Sequence, residues 1–269
     1  MTIIQPVIKW SGSKRSQARE IIAFFPKDID TYYEPFLGGG SILGNLDPKK
    51  AVCGDVCESL IQLWNTVKQD PQTVADEYDK RWKTLQDKGH LYYYDVRDSF
   101  NQTKSPHDLL FLTRTCVNGL IRFNRQGEFN NSFHLSRKGM VSERLGRIIH
   151  QWSTIIKGHR FVHASYVEST KKASDGDFIY LDPPYFHTKG RYFGTIAYDE
   201  FLEYLKDLNQ RNVKFALSFD GHRGEKSYMV ELPKNLYKRH VLLESGNSTF
   251  NKVQNKKVES VLESLYLNY

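Results

Sequence analysis

The sequence predicts an α/β protein: a mixed, mostly parallel sheet with helices on both faces, interrupted by a mainly helical insert that carries a β-hairpin. Three observations predict it. From about residue 160 short apolar runs alternate with a helical pattern, the order that builds parallel sheets. Residues 59–158 instead show repeated helical stripes. Residues 1–58 supply two more short strands, so one sheet is assembled from both sides of the insert.

The first zone reads as loop, helix, strand, turn, strand. Ala18, Ile21, Ile22 and Phe25 recur at helical spacing before Pro26, predicting a helix over 14–25. "TYYEPFLGGGS" reads as a strand ending in a glycine-rich turn, and "AVCGDV" as a second strand ending at Asp55. In the insert, Leu60, Leu63, Trp64 and Val67 form one stripe. Val74, Tyr78, Trp82 and Leu85 form another, and Leu145, Ile148, Ile149, Trp152 and Ile156 a third. Between them "IRFNRQGEFNNSF" reads as a hairpin turning at Gln126-Gly127. The third zone predicts strands at 161–165, 178–182, 214–220, 238–244 and 260–267, with a helix at 199–211. The short connection between the last two strands implies an antiparallel pair.

The net charge of +7 is confined to one segment. Residues 111–160 carry nine Lys or Arg against two acids, a surplus equal to that of the whole chain. A basic block is either a solvated face or the electrostatic footprint of a nucleic-acid contact. No apolar run reaches the length of a membrane span, and the start shows no export leader. Cys53, Cys57 and Cys116 are spaced for neither a disulfide framework nor a zinc site, and read as buried thiols of a reducing cytoplasm. No motif predicts a metal.

Ligands of such sheets bind at the carboxyl ends of the strands. Three predicted strand ends carry chemistry-bearing residues. Glu34-Pro35-Phe36-Leu37-Gly38-Gly39-Gly40 allows close backbone approach to a ligand, or is a plain tight turn. Asp55 can accept hydrogen bonds from ribose hydroxyls, or cap the helix starting near Glu58. Asp182-Pro183-Pro184-Tyr185 combines an acceptor carboxylate, prolines that stiffen the turn and leave carbonyls unpaired, and a flat ring. These parts suit gripping a planar amine for attack on a sulfonium methyl, with acceleration by positioning and electrostatics.

Five segments in order resemble the Dam-type (D12 class, alpha group) DNA adenine-N6 methyltransferases: "KWSGSK", "YYEPFLGGGS", "GDVCESLIQLWNTVK", "NGLIRFNRQGEFN" and "DFIYLDPPY". The resemblance spans nearly the whole chain. It implies a Rossmann-like catalytic domain, residues 1–58 and 159–269, and a DNA target-recognition domain, residues 59–158. It implies S-adenosylmethionine as cofactor, held by Trp10, Lys14, Glu34, Phe36, Gly38, Gly40, Asp55 and Asp182. It makes Asp182, Pro183, Pro184 and Tyr185 the grip on a flipped-out adenine. It places Lys9, Asn118, Arg122, Asn124, Arg125, Arg137 and Lys138 on double-stranded DNA, with Arg122 as the base contact. A cognate restriction endonuclease is the implied partner, and a cytoplasmic monomer the expected form. Two departures stand out. Val117 occupies a position where relatives often place an aromatic, and Ser132-Phe133-His134-Leu135 stands where GATC-specific members commonly read Pro-Phe-Gly. Transfer to another amine, such as cytosine N4 or an RNA base, and a catalytically dead DNA-binding module are the competing readings.

Overall fold

The computed structural model describes residues 3–124, 126–136, 138–184, 196–223, 226–227, 232–245 and 261–269. The strands are β1 (Tyr32–Glu34), β2 (Ala51–Asp55), β3 (Arg160–His163), β4 (Phe178–Leu181), β5 (Lys214–Arg223), β6 (Lys226–Ser227), β7 (Arg239–Ser245) and β8 (Val261–Leu267). They form one sheet in the order β3-β2-β1-β4-β5-β8-β7, with β6 pairing on β5. The first five are mutually parallel; β8 runs antiparallel between β5 and β7. The result is a Rossmann-like sheet with β8 reversed near its edge and the short β6 antiparallel to β5.

Both faces of the sheet are covered, which explains why β4 is apolar at every position. Phe178 and Tyr180 point into one core, and Ile179 and Leu181 into the other. The second core is closed by α9 (Tyr198–Gln210) through Phe201, Tyr204, Leu205 and Leu208. The first is shared with α3 (Glu58–Gln69), α4 (Pro71–Lys88), α5 (Leu91–Thr103), α6 (Pro106–Thr115) and α7 (Ser142–Ile155). All three predicted stripes face it. Trp64 of α3 stacks parallel to Phe161 of β3 and meets Trp152 of α7 with ring centroids 4.9 Å apart. Each such buried aromatic contributes roughly 2–3 kcal/mol. The hydrophobic core therefore runs without a break from the sheet into the helices of the insert.

Three local expectations change. The helix expected over 14–25 forms only as α1 (Ala18–Ile22): Lys14 is held by Asp182, and single turns, Gln17 N–H to the Lys14 carbonyl and Phe25 N–H to the Ile22 carbonyl, lead into and out of it. A four-residue helix, α2 (Leu43–Leu46), follows the glycine turn where none was expected. The hairpin forms as two isolated bridges, Phe123↔Phe129 and Cys116↔Phe133, rather than as continuous strands. Asn124 explains the tight turn: its side-chain oxygen accepts the N–H groups of Gln126 and Glu128, and Gly127 takes φ +75°.

Candidate active site

Because β2, β1 and β4 are adjacent and parallel, their carboxyl ends lie side by side. Those ends place Asp55, Glu34 and Asp182 along one edge of the sheet. Burial disfavours the charge of all three carboxylates, and Asp182 adds its negative field at Glu34. The fold handles each differently.

Glu34 is 3% exposed and accepts hydrogen bonds from the Tyr32 hydroxyl (2.8 Å) and the Leu43 N–H (3.0 Å). Burial still dominates and pushes its carboxyl up to about 8, so it is protonated at neutral pH. Asp55 accepts the N–H groups of Gly38 (3.1 Å) and Cys57 (3.0 Å). These donors oppose the upward push of burial. The helix cap position after β2 is Cys57, so Asp55 serves chiefly to pin the glycine turn rather than to cap α3. Asp182 pairs with Lys14, whose ammonium lies 2.9 Å away and whose side chain is 4% exposed. Burial raises the Asp182 carboxyl, and the Lys14 charge counters it.

The glycine turn is shaped by tryptophan. Gly38 has φ +48°, and a Cβ there would stand 2.6 Å from the Trp10 ring. Its carbonyl accepts the indole N–H of Trp64 (3.1 Å). Together these elements enclose a cavity of about 220 Å³. Trp10, Lys14, Glu34, Phe36, Gly38, Asp55, Asp182, Pro183 and Pro184 all line it. Gly40 does not: its φ of +65° and its contacts with Trp64 and Trp152 give it a packing role. Tyr185 lies outside the described residues.

Sequence reasoning missed Ser165 and Tyr166, which also line the cavity. Tyr166 opens α8 (Tyr166–Thr170) just past β3, and its ring stacks on Phe36 with centroids 5.5 Å apart. The strand-end rule could have found it, since β3 is the neighbour of β2 in the parallel set.

The expected DNA-facing residues divide. Asn118 (φ +56°), Arg122 and Lys138 are exposed. Lys9 packs along Gly119, and the Ser11 hydroxyl accepts the Ile121 N–H (3.0 Å), tying residues 9–14 to the hairpin. Arg122 donates through Nε to Asn130 (3.0 Å), which fixes the guanidinium plane. Asn124 spends its amide on its own turn, donating also to Glu128 (2.7 Å). Arg125 and Arg137 lie outside the described residues. Of the nine basic residues in the charged block, Arg114 is buried and donates to the carbonyls of Val7 (2.8 Å) and Pro6. Arg160 opens β3, at the end of the sheet opposite the cavity. The block is thus not one surface.

Residues 10–261 match the family model described as D12 class N6 adenine-specific DNA methyltransferase. The chain is similar to the type II methyltransferase M.MjaIII of Methanocaldococcus jannaschii, 26% identical over 296 residues and 99% of each chain. It is 31% identical to the DNA adenine methylase of Vibrio cholerae over 182 residues, 66% of this chain and 64% of that one. The DNA adenine methylase of Escherichia coli K12 is likewise 31% identical, over 185 residues and the same shares of the two chains.

Proposed function

The chain belongs to the D12 class N6 adenine-specific DNA methyltransferases, and we propose that it moves a methyl group from S-adenosylmethionine to N6 of an adenine turned out of duplex DNA. The observation that carries the finer reading is the single cavity shared by Asp55, the Gly38 turn and Asp182-Pro183-Pro184.

The cavity fits the cofactor chemically. Asp55 keeps acceptor capacity for ribose hydroxyls beyond its two backbone donors. Phe36 and Tyr166 offer flat apolar surface to a purine ring, and the missing Cβ at Gly38 lets the Trp10 ring close in on the turn as part of the cavity wall. When bound, S-adenosylmethionine supplies an electrophilic methyl on a sulfonium.

The protein's part is acceptance and positioning. Asp182 accepts one N–H of the adenine amine, and a carbonyl of the proline pair accepts the other. Withdrawing both hydrogens from the ring plane frees the nitrogen lone pair for in-line attack. The nitrogen gains a methyl and loses a proton, and Asp182 is the group placed to take it. Pro183 and Pro184 keep the turn from relaxing. A stacked base is out of reach, so the adenine leaves the helix first. The insert, residues 59–158, is the target-recognition unit; Arg122, held by Asn130, presents its two terminal nitrogens to a guanine edge. Similarity along the whole chain to a type II methyltransferase supports a cognate restriction endonuclease as functional partner. Among the described residues no helix is long and apolar enough to cross a membrane.

Radiolabelled methyl transfer to duplex DNA, followed by nucleoside separation, tests the reading. Label in N6-methyladenine is expected; label in cytosine or in RNA, or none, rejects it. Methylation-sensitive sequencing of DNA from expressing cells would then read the recognition site.

A further inference from the structure

The Lys14 ammonium faces two carboxylates. Besides Asp182 at 2.9 Å, it meets Glu263 of β8 at 3.7 Å, with the Asp182 and Glu263 side chains 20% and 17% exposed. Glu263 reaches the site by strand alternation, on the same face of β8 as Leu265 and Leu267 of the first core. The β5–β8 ladder shifts register between Phe219 and His222, while their partners on β8 are Ser264 and Leu262. The bulge therefore lies on β5, opposite Glu263. On its other side Glu263 pairs with Leu243 of β7, which offers no charge.

We propose that Glu263 is a positioning residue for methyl transfer: by sharing the Lys14 ammonium, it keeps Asp182 a strong acceptor for the target amine. This rests on the methyl-transfer reading above. A lysine bonded only to Asp182 would draw electron density from the oxygen that must grip the amine. A second carboxylate divides that pull while leaving a cation in place to hold Asp182 ionised. Among the described residues, the charged and titratable side chains facing Asp182 are Lys14 from the N-terminal loop, Glu263 from β8, Glu34 from β1 and Tyr180 from β4. Glu34 is protonated at neutral pH and Tyr180 is held neutral by burial, so of these four groups Lys14 and Glu263 carry the charge.

The sign of the effect follows from charge. Glu263 raises the Asp182 carboxyl through its negative field. Removing that field lets Asp182 ionise at lower pH and makes it a poorer acceptor once ionised. Single-turnover methyl transfer to duplex DNA, measured against pH, reads both consequences. In Glu263→Gln the plateau rate is expected to fall on the order of tenfold, below the loss typical of a direct transition-state contact. The acid limb is expected to move to lower pH, and KM for DNA and for methyl donor to stay within about twofold. Glu263→Met should behave alike, and either folded variant decides the point. Glu263→Asp, which restores the charge, should recover the wild-type limb. An acid limb that stays in place or moves upward, or a loss confined to KM, overturns the inference. A wild-type chain that methylates nothing would instead sink the functional reading on which it rests.

Discussion

The ammonium of Lys14 lies 2.9 Å from a carboxylate oxygen of Asp182, joining the N-terminal loop to the end of β4. Lys14 is buried at this contact, with only 4% of its side chain exposed. Asp182→Ala is expected to abolish methyl transfer, by at least about 10³-fold, while leaving DNA affinity within a few-fold in a gel-shift assay. Near-normal turnover in that variant would remove Asp182 from the chemistry. In the wild type, the rate should fall as pH drops through an Asp182 value raised above the ordinary aspartate range by burial.

Asp55 and Gly38 form one unit, since the carboxylate accepts the glycine N–H at 3.1 Å. Asp55→Ala leaves that N–H without its partner, a loss of about 1–3 kcal/mol. It also removes the expected ribose acceptor. Isothermal titration should show donor affinity reduced at least about tenfold. Gly38→Ala should do likewise from the other side, because its Cβ would meet the Trp10 ring at 2.6 Å in a left-handed backbone. Unchanged donor binding in both variants would move the cofactor elsewhere.

Two arginines eight residues apart should respond in opposite ways. Arg114 is buried and holds the carbonyls of Pro6 and Val7, so Arg114→Ala is expected to lower stability by about 3 kcal/mol and to leave sequence preference intact. Arg122 is exposed on the hairpin, so Arg122→Ala should leave stability nearly unchanged. It should cost about 1–3 kcal/mol of discrimination at one base pair. Melting curves and methylation of single-mismatch duplexes separate the two effects.

Lys138 is exposed on the segment before α7. Lys138→Ala should weaken binding evenly across sequences and reduce the salt slope of log K by about one. A sequence-selective loss would make it a base contact instead.

Glu34 makes stability depend on pH. A glutamate with the ordinary value of 4.5 is ionised in the unfolded chain at neutral pH, whereas folded Glu34 holds its proton up to about 8. Between those values the folded state binds more protons, so this group's contribution is full below the lower value and lost as pH rises toward the upper. Glu34→Gln should flatten that dependence. A fall in melting midpoint of at least about 3 °C between mildly acidic and alkaline buffer is expected in the wild type and not in the variant. Equal slopes would mean that Glu34 does not carry the effect.

The amino-acid sequence by itself determined the parts whose cause is local. Apolar runs stopped by Glu34, Asp55 and Asp182 mark strand ends, and the stripes through Trp64, Tyr78 and Trp152 mark helix faces, because side-chain period and chain-breaking residues act over a few positions. Given a parallel sheet, those strand ends had to share an edge, so the acidic and glycine-rich part of the cavity could be read in advance. Only tertiary structure decided how the charges are used. It brought Lys14 and Glu263 to the same carboxylate, buried Arg114 while exposing Arg122, turned Asn124 onto its own hairpin, and set Tyr166 against Phe36. Most of these are contacts between residues distant in the chain, and burial sets what each charge is worth. Periodicity carries no information about either.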